Sequence, residues 1–257
     1  QPANEKVRAY FENVAVIEDD PAVLRRRVVA FHQQGMDLRN LKNVAAAMQA
    51  LLTAAALGER LVAVAPGDTA ALLALADTRR LLANQRQEAG DTAGALREIE
   101  QADRRLREAS RLRPADHAIT MRLASLRTEE AESFIRGGQT ARAAARLDEA
   151  MGTFEDLLAR DPKLADLPDR ASAAAWKLGV ARRRMGDFAR AEAAFRRSIE
   201  LAKQLRDAAP DNIITMRRYQ LSLGSLGAML NDAGRAADAL AVLQEAVACA
   251  REIVARD

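Results

Sequence analysis

The sequence is poor in the residues that usually build catalytic or metal centres. It has one cysteine and two histidines in 257 residues. Cys249 alone can form no internal disulfide. A lone thiol in an alanine-rich stretch reads as a small buried hydrophobe, not a nucleophile. His32 and His117 stand 85 residues apart, and neither has the neighbours of a metal site. Ser133, Ser172 and Ser198 lack the nearby base that a nucleophile needs. There is no P-loop, no G-x-G-x-x-G and no zinc-ligand spacing. The chain is therefore read as non-catalytic, with no cofactor and no metal.

Other absences bear on architecture. Aromatic residues make up 4% of the chain, and alternating Val/Ile/Thr runs are nearly missing. Strands favour such residues, so strands are not expected. No apolar run is read as reaching the roughly 18 residues that span a membrane, and no signal peptide opens the chain. No membrane contact is expected of this segment. Gln1 in place of Met is read as the start of a processed or excised piece.

What is present favours helix. Hydrophobic residues are 49% of the chain, enough for a substantial core, and Ala, Leu and Arg dominate. The reading is all-α. The formal charge is only +3, because 39 bases face 36 acids. The two signs are interspersed, as on solvated helix faces, whereas nucleic-acid binders concentrate bases in a stripe. No nucleic-acid partner is expected.

Periodicity organises the whole chain. Pro66, Pro114, Pro162 and Pro210 are 48 residues apart. Proline just past a helix end is common, since it cannot continue the helix. Gly90, Gly138, Gly186 and Gly234 keep the same spacing, with Lys42 in the earlier slot. This column should end one helix in a left-handed turn. Asp91 and Asp187 follow it, placed to cap the next helix. Gly35, Ala83, Ala131, Gly179 and Gly227 form a small-residue column, and Ala47, Ala95, Ala143, Ala191 and Ala239 another. Small residues let two helices approach closely. Leu51, Ile99, Leu147, Phe195 and Leu243 should fill the space beside them, with Ala54, Ala102, Ala150, Ser198 and Ala246 on the same face.

With these columns in place, the fourth copy resembles a tetratricopeptide (TPR) repeat. The stretch Trp176-Lys177-Leu178-Gly179, then Gly186-Asp187-Phe188, Ala191, Phe195 and Ser198 carries the likeness. Leu223, Leu226-Gly227, Gly234, Ala239, Leu243 and Ala246 carry it in the fifth. The resemblance covers residues 22–257. Arg86 and Arg182 depart from it, standing where an aromatic is usual. The family repeat is 34 residues, so each copy here is longer, which adds about two turns per helix and predicts helices of roughly 20 residues, about 30 Å long. The expected organisation is one repeat domain over 1–257. It would have an N-terminal helix within 4–17 and a linker up to 21, then repeats at about 22–65, 66–113, 114–161, 162–209 and 210–257.

The resemblance implies a TPR-like solenoid of antiparallel helix pairs forming a superhelix, with first helices lining a concave face. By that geometry the candidate protein-binding residues are His32, Arg39, Arg80, Asn84, Glu132, Arg136, Trp176, Arg183 and Arg184. Asp77, Ser125, Thr128, Leu221 and Asp232 share the same face. Trp176 is the chain's only tryptophan; it reads either as an anchor in the groove or as a core residue rotated inward by the lengthened helices. Arg80, Asn84 and Lys177 partly match a carboxylate clamp of some family members, but Glu129 and Ala173 leave it incomplete. The expected partner is a protein or peptide. Self-association, or a capping segment beyond this chain, is expected at the last helix, about 236–257, where Leu240, Leu243, Val247 and Ile253 would leave an apolar outer side.

Long repeats rich in Ala, Arg and Leu with Asp-Pro or Ala-Pro ends also resemble arrays attached to bacterial serine/threonine kinases. In membrane-anchored members that array lies outside the cytoplasm and acts as the sensor. The resemblance implies a periplasmic or extracytoplasmic sensor module of a larger signalling protein. A cytoplasmic scaffold or assembly factor is the alternative.

Overall fold

The computed structural model describes residues 19–256, and these form ten helices and no strand. The expected helix within 4–17 lies outside the described residues. In chain order the helices are α1 Pro21–Asn40, α2 Val44–Val64, α3 Thr69–Glu88, α4 Thr92–Leu112 and α5 His117–Arg136. They continue as α6 Thr140–Arg160, α7 Leu167–Arg184, α8 Phe188–Ala208, α9 Ile213–Asp232 and α10 Ala236–Val254. The chain divides into two compact units, residues 1–119 and 120–257, with the boundary in the first turn of α5. In the first unit α1 pairs with α2 and α3 with α4, and α2 packs on α3. In the second, α7 pairs with α8 and α9 with α10, while α6 packs on α7 and α8 on α9.

Local chemistry explains the regularity. Each odd-numbered helix except α7 starts behind a capping side chain: Asp20, Asp68, Asp116 and Asn212 accept bonds from backbone N–H groups of the first turn. Such a cap is worth about 1 kcal/mol. These caps form a further 48-residue column, beyond those that the sequence reading used. In the fourth copy Leu164 occupies the slot, and α7 begins late, behind Asp166 in a left-handed conformation (φ 63°). The turns inside each repeat agree with expectation. Gly90, Gly138, Gly186 and Gly234 have φ between 74° and 81°, and Lys42 is forced to φ 59°. Asp91 and Asp187 then cap α4 and α8 through Gly94 N and Arg190 N.

The small columns create close helix contacts. All five alanines from Ala47 to Ala239 are buried. A β-carbon at Gly35 would fall 2.7 Å from Leu51, at Gly179 2.6 Å from Phe195, and at Gly227 2.6 Å from Leu243. In the first, fourth and fifth repeats the bulky column thus presses into the small one. The first unit's core is built on Leu24, Leu51, Leu61, Leu72, Leu75 and Leu82. The second unit's includes Phe154, Leu167 and Leu201, then Phe195, Leu226 and Leu230 further on.

The two arginines in aromatic positions are accommodated by charge. Arg86 reaches across the turn to Asp91 at 3.0 Å and to the buried Glu98 at 3.2 Å. Arg182 does the same with Asp187 at 3.3 Å and also pairs with Asp148. In the intervening copy the slot holds Phe134, and Arg142 lies over its ring at 4.3 Å. Glu98 continues the first-unit network to Arg79 at 2.9 Å, which meets Glu59 at 3.1 Å.

Two expectations need correction. The sequence reading found no run apolar enough to span a membrane, yet α2 is long and apolar enough by composition, with a mean hydropathy of 1.3 over its best window. Fifteen of its 21 residues are alanine, valine or leucine, and Glu59 and Arg60 are its only charges. Half of that window is buried within the fold, against α1 and α3, as for a core helix. The second correction concerns α10. Leu240, Leu243 and Val247 are exposed as expected, but Ile253 is buried against Met216 and Tyr219. Val254 takes the exposed end of the stripe instead.

Candidate functional site: the first-helix face

The odd-numbered helices of neighbouring repeats also touch each other: α1 meets α3, and α7 meets α9. In the first unit His32 Nδ1 lies 2.9 Å from Thr78 Oγ1, and Thr78 donates to the Ala74 carbonyl. Burial pushes the His32 pKa down; Asp77 opposes that shift and Arg80 adds to it. Arg80 stands 4.0 Å from Asp77, one turn away on α3. His32, Asp77 and Arg80 therefore form one electrostatic group. Asn84 follows Arg80 by one helical turn and is half-buried. Arg39 sits in the last turn of α1, where a cation suits the helix dipole.

The second unit carries a longer series of links. Lys177 Nζ lies 2.6 Å from Glu132, joining α7 to α5, and Arg136 holds the same carboxylate at 2.9 Å. Burial pushes the Glu132 carboxyl up, but Lys177 and Arg136 outweigh it and hold the pKa below the ordinary glutamate value. Trp176 Nε1 donates to Ser225 Oγ at 2.8 Å, and Arg183 pairs with Asp232 at 2.6 Å; both join α7 to α9. Arg218 on α9 reaches back to Asp169 on α7 at 2.8 Å. Glu132, Arg136, Trp176 and Arg183 thus belong to one connected series. Arg184 follows at the exposed end of α7. Ser125 and Thr128, expected on the same face, are instead buried and turn back to the carbonyls of Met121 and Ala124.

Trp176 fits neither of its two simple readings alone. It is half-buried, and part of its ring packs beside Phe195, Leu226 and Leu230. The remainder lines a cleft of about 430 Å³ between α7 and α9, with Lys177, Ile214, Arg217, Arg218 and Leu221 around it. Ile214 and Leu221 are 70% and 48% exposed. Sequence reasoning missed Ser225, Ile214, Arg217 and Arg218 as neighbours of Trp176. The Ile213-Ile214 pair in the first turn of α9, more than one buried face needs, was the one available signal. The links run 45, 46 or 49 residues along the chain, not 48, so the repeat columns did not register them. Among the described residues no group of three His, Cys, Asp or Glu side chains is placed to hold a metal.

The tetratricopeptide repeat family model matches residues 173–205, which are most of α7 and α8. No curated protein matches the sequence. The fold is similar to that of BtubC (BKLC) from P. vanneervenii, at 18% identity over 90% of this chain and 92% of that chain, with a TM-score of 0.57. Aspartyl phosphate phosphatase F from Bacillus subtilis is similar at 11% identity and a TM-score of 0.66, over 90% of this chain and 52% of that one. A putative kinesin light chain from Podosopora anserina with nearly identical TPR-like repeats gives 16% identity over 89% of this chain and 95% of that chain, with a TM-score of 0.55. At such identities the likeness is one of fold, and that fold is the all-α, TPR-like helical solenoid.

Proposed function

We propose that this chain is a non-catalytic module that binds a protein or peptide along its first-helix face, with the second unit's Trp176, Glu132, Arg136, Arg183 and Arg184 as the main contacts. The observation that carries this reading is the Trp176 cleft: a large aromatic held at one edge by Ser225, with exposed Ile214 and Leu221 beside it. A rigid wall of helices already linked to each other adds little ordering cost on binding. Tryptophan and arginine are the residues most enriched among binding hot spots. In the first unit His32, Arg39, Arg80 and Asn84 are the corresponding contacts.

The test begins with a partner captured by cross-linking from a cell lysate and then purified. Trp176→Ala should weaken its binding by about 2 kcal/mol or more, while circular dichroism stays unchanged. A partner that is indifferent to Trp176→Ala and to a combined Arg183→Ala, Arg184→Ala variant, and that maps to the even-numbered helices, would overturn the proposal. Stoichiometric zinc or sustained ATP hydrolysis in a clean preparation would overturn the non-catalytic part.

Within this reading the array is the sensing part of a larger bacterial signalling protein, outside the cytoplasm and attached to a transmembrane serine/threonine kinase. The support is the 48-residue repeat with its Ala/Arg/Leu composition and its resemblance to such arrays. A kinase domain and a membrane span encoded in the same reading frame are the expected finding. A cytoplasmic scaffold or assembly factor is the second reading, favoured by the exposed apolar stripe of α10. Fractionation of the native protein into periplasm or cytoplasm separates the two.

A further inference from the structure

We infer that three buried serines, Ser172, Ser198 and Ser222, are the residues that position Trp176 in its cleft; this rests on the protein-binding reading above and names what holds that site in shape. Ser172 lies on α7, Ser198 on α8 and Ser222 on α9, and they are 0%, 0% and 1% exposed. Ser172 Oγ donates to the Ser198 carbonyl at 3.1 Å, and Ser198 Oγ donates to the Ser172 carbonyl at 2.9 Å. This reciprocal pair ties α7 to α8. Ser198 Oγ also lies 2.9 Å from Ser222 Oγ. A hydroxyl has one proton to give. With the Ser198 proton on the Ser172 carbonyl, Ser222 is the donor that ties α9 to α8. Its competing acceptor is the Arg218 carbonyl of its own helix, at 3.0 Å. The other four repeats carry Ala54, Ala102, Ala150 and Ala246 in the Ser198 slot, so the middle rung of this ladder exists in the fourth repeat alone.

The same three helices otherwise meet through apolar groups such as Ala175, Leu201, Phe195 and Leu226. Apolar contact has no preferred direction, so by itself it admits small rotations of one helix against the next. A hydrogen bond weakens steeply away from its preferred distance and angle. In buried surroundings no water replaces it. The ladder therefore selects one rotation of α9 against α7. Its two ends lie one helical turn from the Trp176 contact: Trp176 follows Ser172 by four residues, and Ser225 follows Ser222 by three. Ser222 itself lines the cleft, as does Ala173 beside Ser172. Ser225 donates to the Leu221 carbonyl, which turns its oxygen toward Trp176 Nε1 at 2.8 Å. Rotating α9 by about 20° would carry an atom about 5 Å from its axis roughly 1.7 Å. That is enough to break the Trp176–Ser225 bond.

Trp176 is the only tryptophan in the chain, so its emission reports this contact directly. Ser198→Ala is the main variant. It leaves no orphaned group, because Ser172 keeps the Ser198 carbonyl and Ser222 keeps the Arg218 carbonyl. Its urea midpoint should stay close to that of wild type. Acrylamide quenching of Trp176, read well below the unfolding transition, should rise by about twofold or more as the ring loses its fixed partner. Ser222→Ala should have the same effect, and the double variant should add little to either, since the two hydroxyls act as one unit. Ser222→Ala also keeps the test decisive if Ser198→Ala folds poorly. Ser133→Ala is the control: Ser133 is buried on α5 and bonds the Glu129 carbonyl of its own helix, so Trp176 should not respond. Wild-type quenching in both Ser198→Ala and Ser222→Ala would overturn this inference and leave the protein-binding reading intact. An equal rise in Ser133→Ala would overturn it as well, by showing a general loosening. A freed Trp176 with unchanged affinity for the captured partner would uphold the positioning role and overturn the binding reading of the cleft.

Discussion

Gly179 lies so close to the Phe195 ring that an added β-carbon would sit 2.6 Å from Cδ1 and Cε1. The ring is fully buried, so it has nowhere to retreat. Gly179→Ala sets a gain in helix propensity of about 1 kcal/mol against an overpacking cost of about 1–3 kcal/mol. A net loss of stability is expected. Gly152 in α6 is the contrast: it is exposed, and a β-carbon there would meet nothing within 4 Å. Gly152→Ala should stabilise by about 1 kcal/mol. Urea denaturation of both variants checks the pair; equal effects would refute this account of the small column.

The buried Glu98 stands between Arg79 and Arg86 and joins α4 to α3. Removing one partner from a buried ion group leaves uncompensated charge. Glu98→Ala should cost about 3 kcal/mol, whereas Glu149→Ala, at an exposed pair with Arg146, should cost less than about 1 kcal/mol. Thermal denaturation of the two variants gives the comparison. A Glu98→Ala protein as stable as wild type would mean that the network contributes nothing net.

Burial lowers the pKa of His32 below 6.5. Above the unfolded value both states are neutral and the His32 contribution to stability is fully present. As pH falls below it, the unfolded chain takes up the proton first and stability is lost until the folded-state pKa is passed. Between pH 7 and about 5.5, above the range in which ordinary carboxylates titrate, wild type should lose more stability than His32→Gln. Parallel pH–stability curves for the two proteins would contradict this.

The outer side of α10 carries Leu240, Leu243, Val247, Ala250 and Val254 at alternating three- and four-residue steps. That is the spacing of a helix-pairing seam, and Leu240, Val247 and Val254 are all at least half exposed. Arg251 alone among the residues lining its shallow groove is charged. Light scattering should show concentration-dependent dimers of the described chain, and Leu240→Glu with Val247→Glu should leave monomers of unchanged helicity. A strict monomer at high concentration would remove this stripe as a self-association surface.

Much of this protein was legible in the sequence, because much of it is local. A helix start depends on Asp68 or Asp116 and the N–H groups two or three residues later. A turn depends on whether Gly186 can reach φ 76°. Such determinants recur wherever the residues recur, so the 48-residue columns predicted helix ends, turns and buried alanines together. The neighbours of Trp176 were not legible in the same way. Ser225 lies 49 residues on, Lys177 reaches back 45 to Glu132, and both distances depend on how far one repeat is rotated against the next. No single column encodes that rotation; it is the sum of many small packing contacts. The tertiary structure alone decided that Arg183 is engaged by Asp232, that α2 is a core helix despite its composition, and that Trp176 is divided between core and cleft.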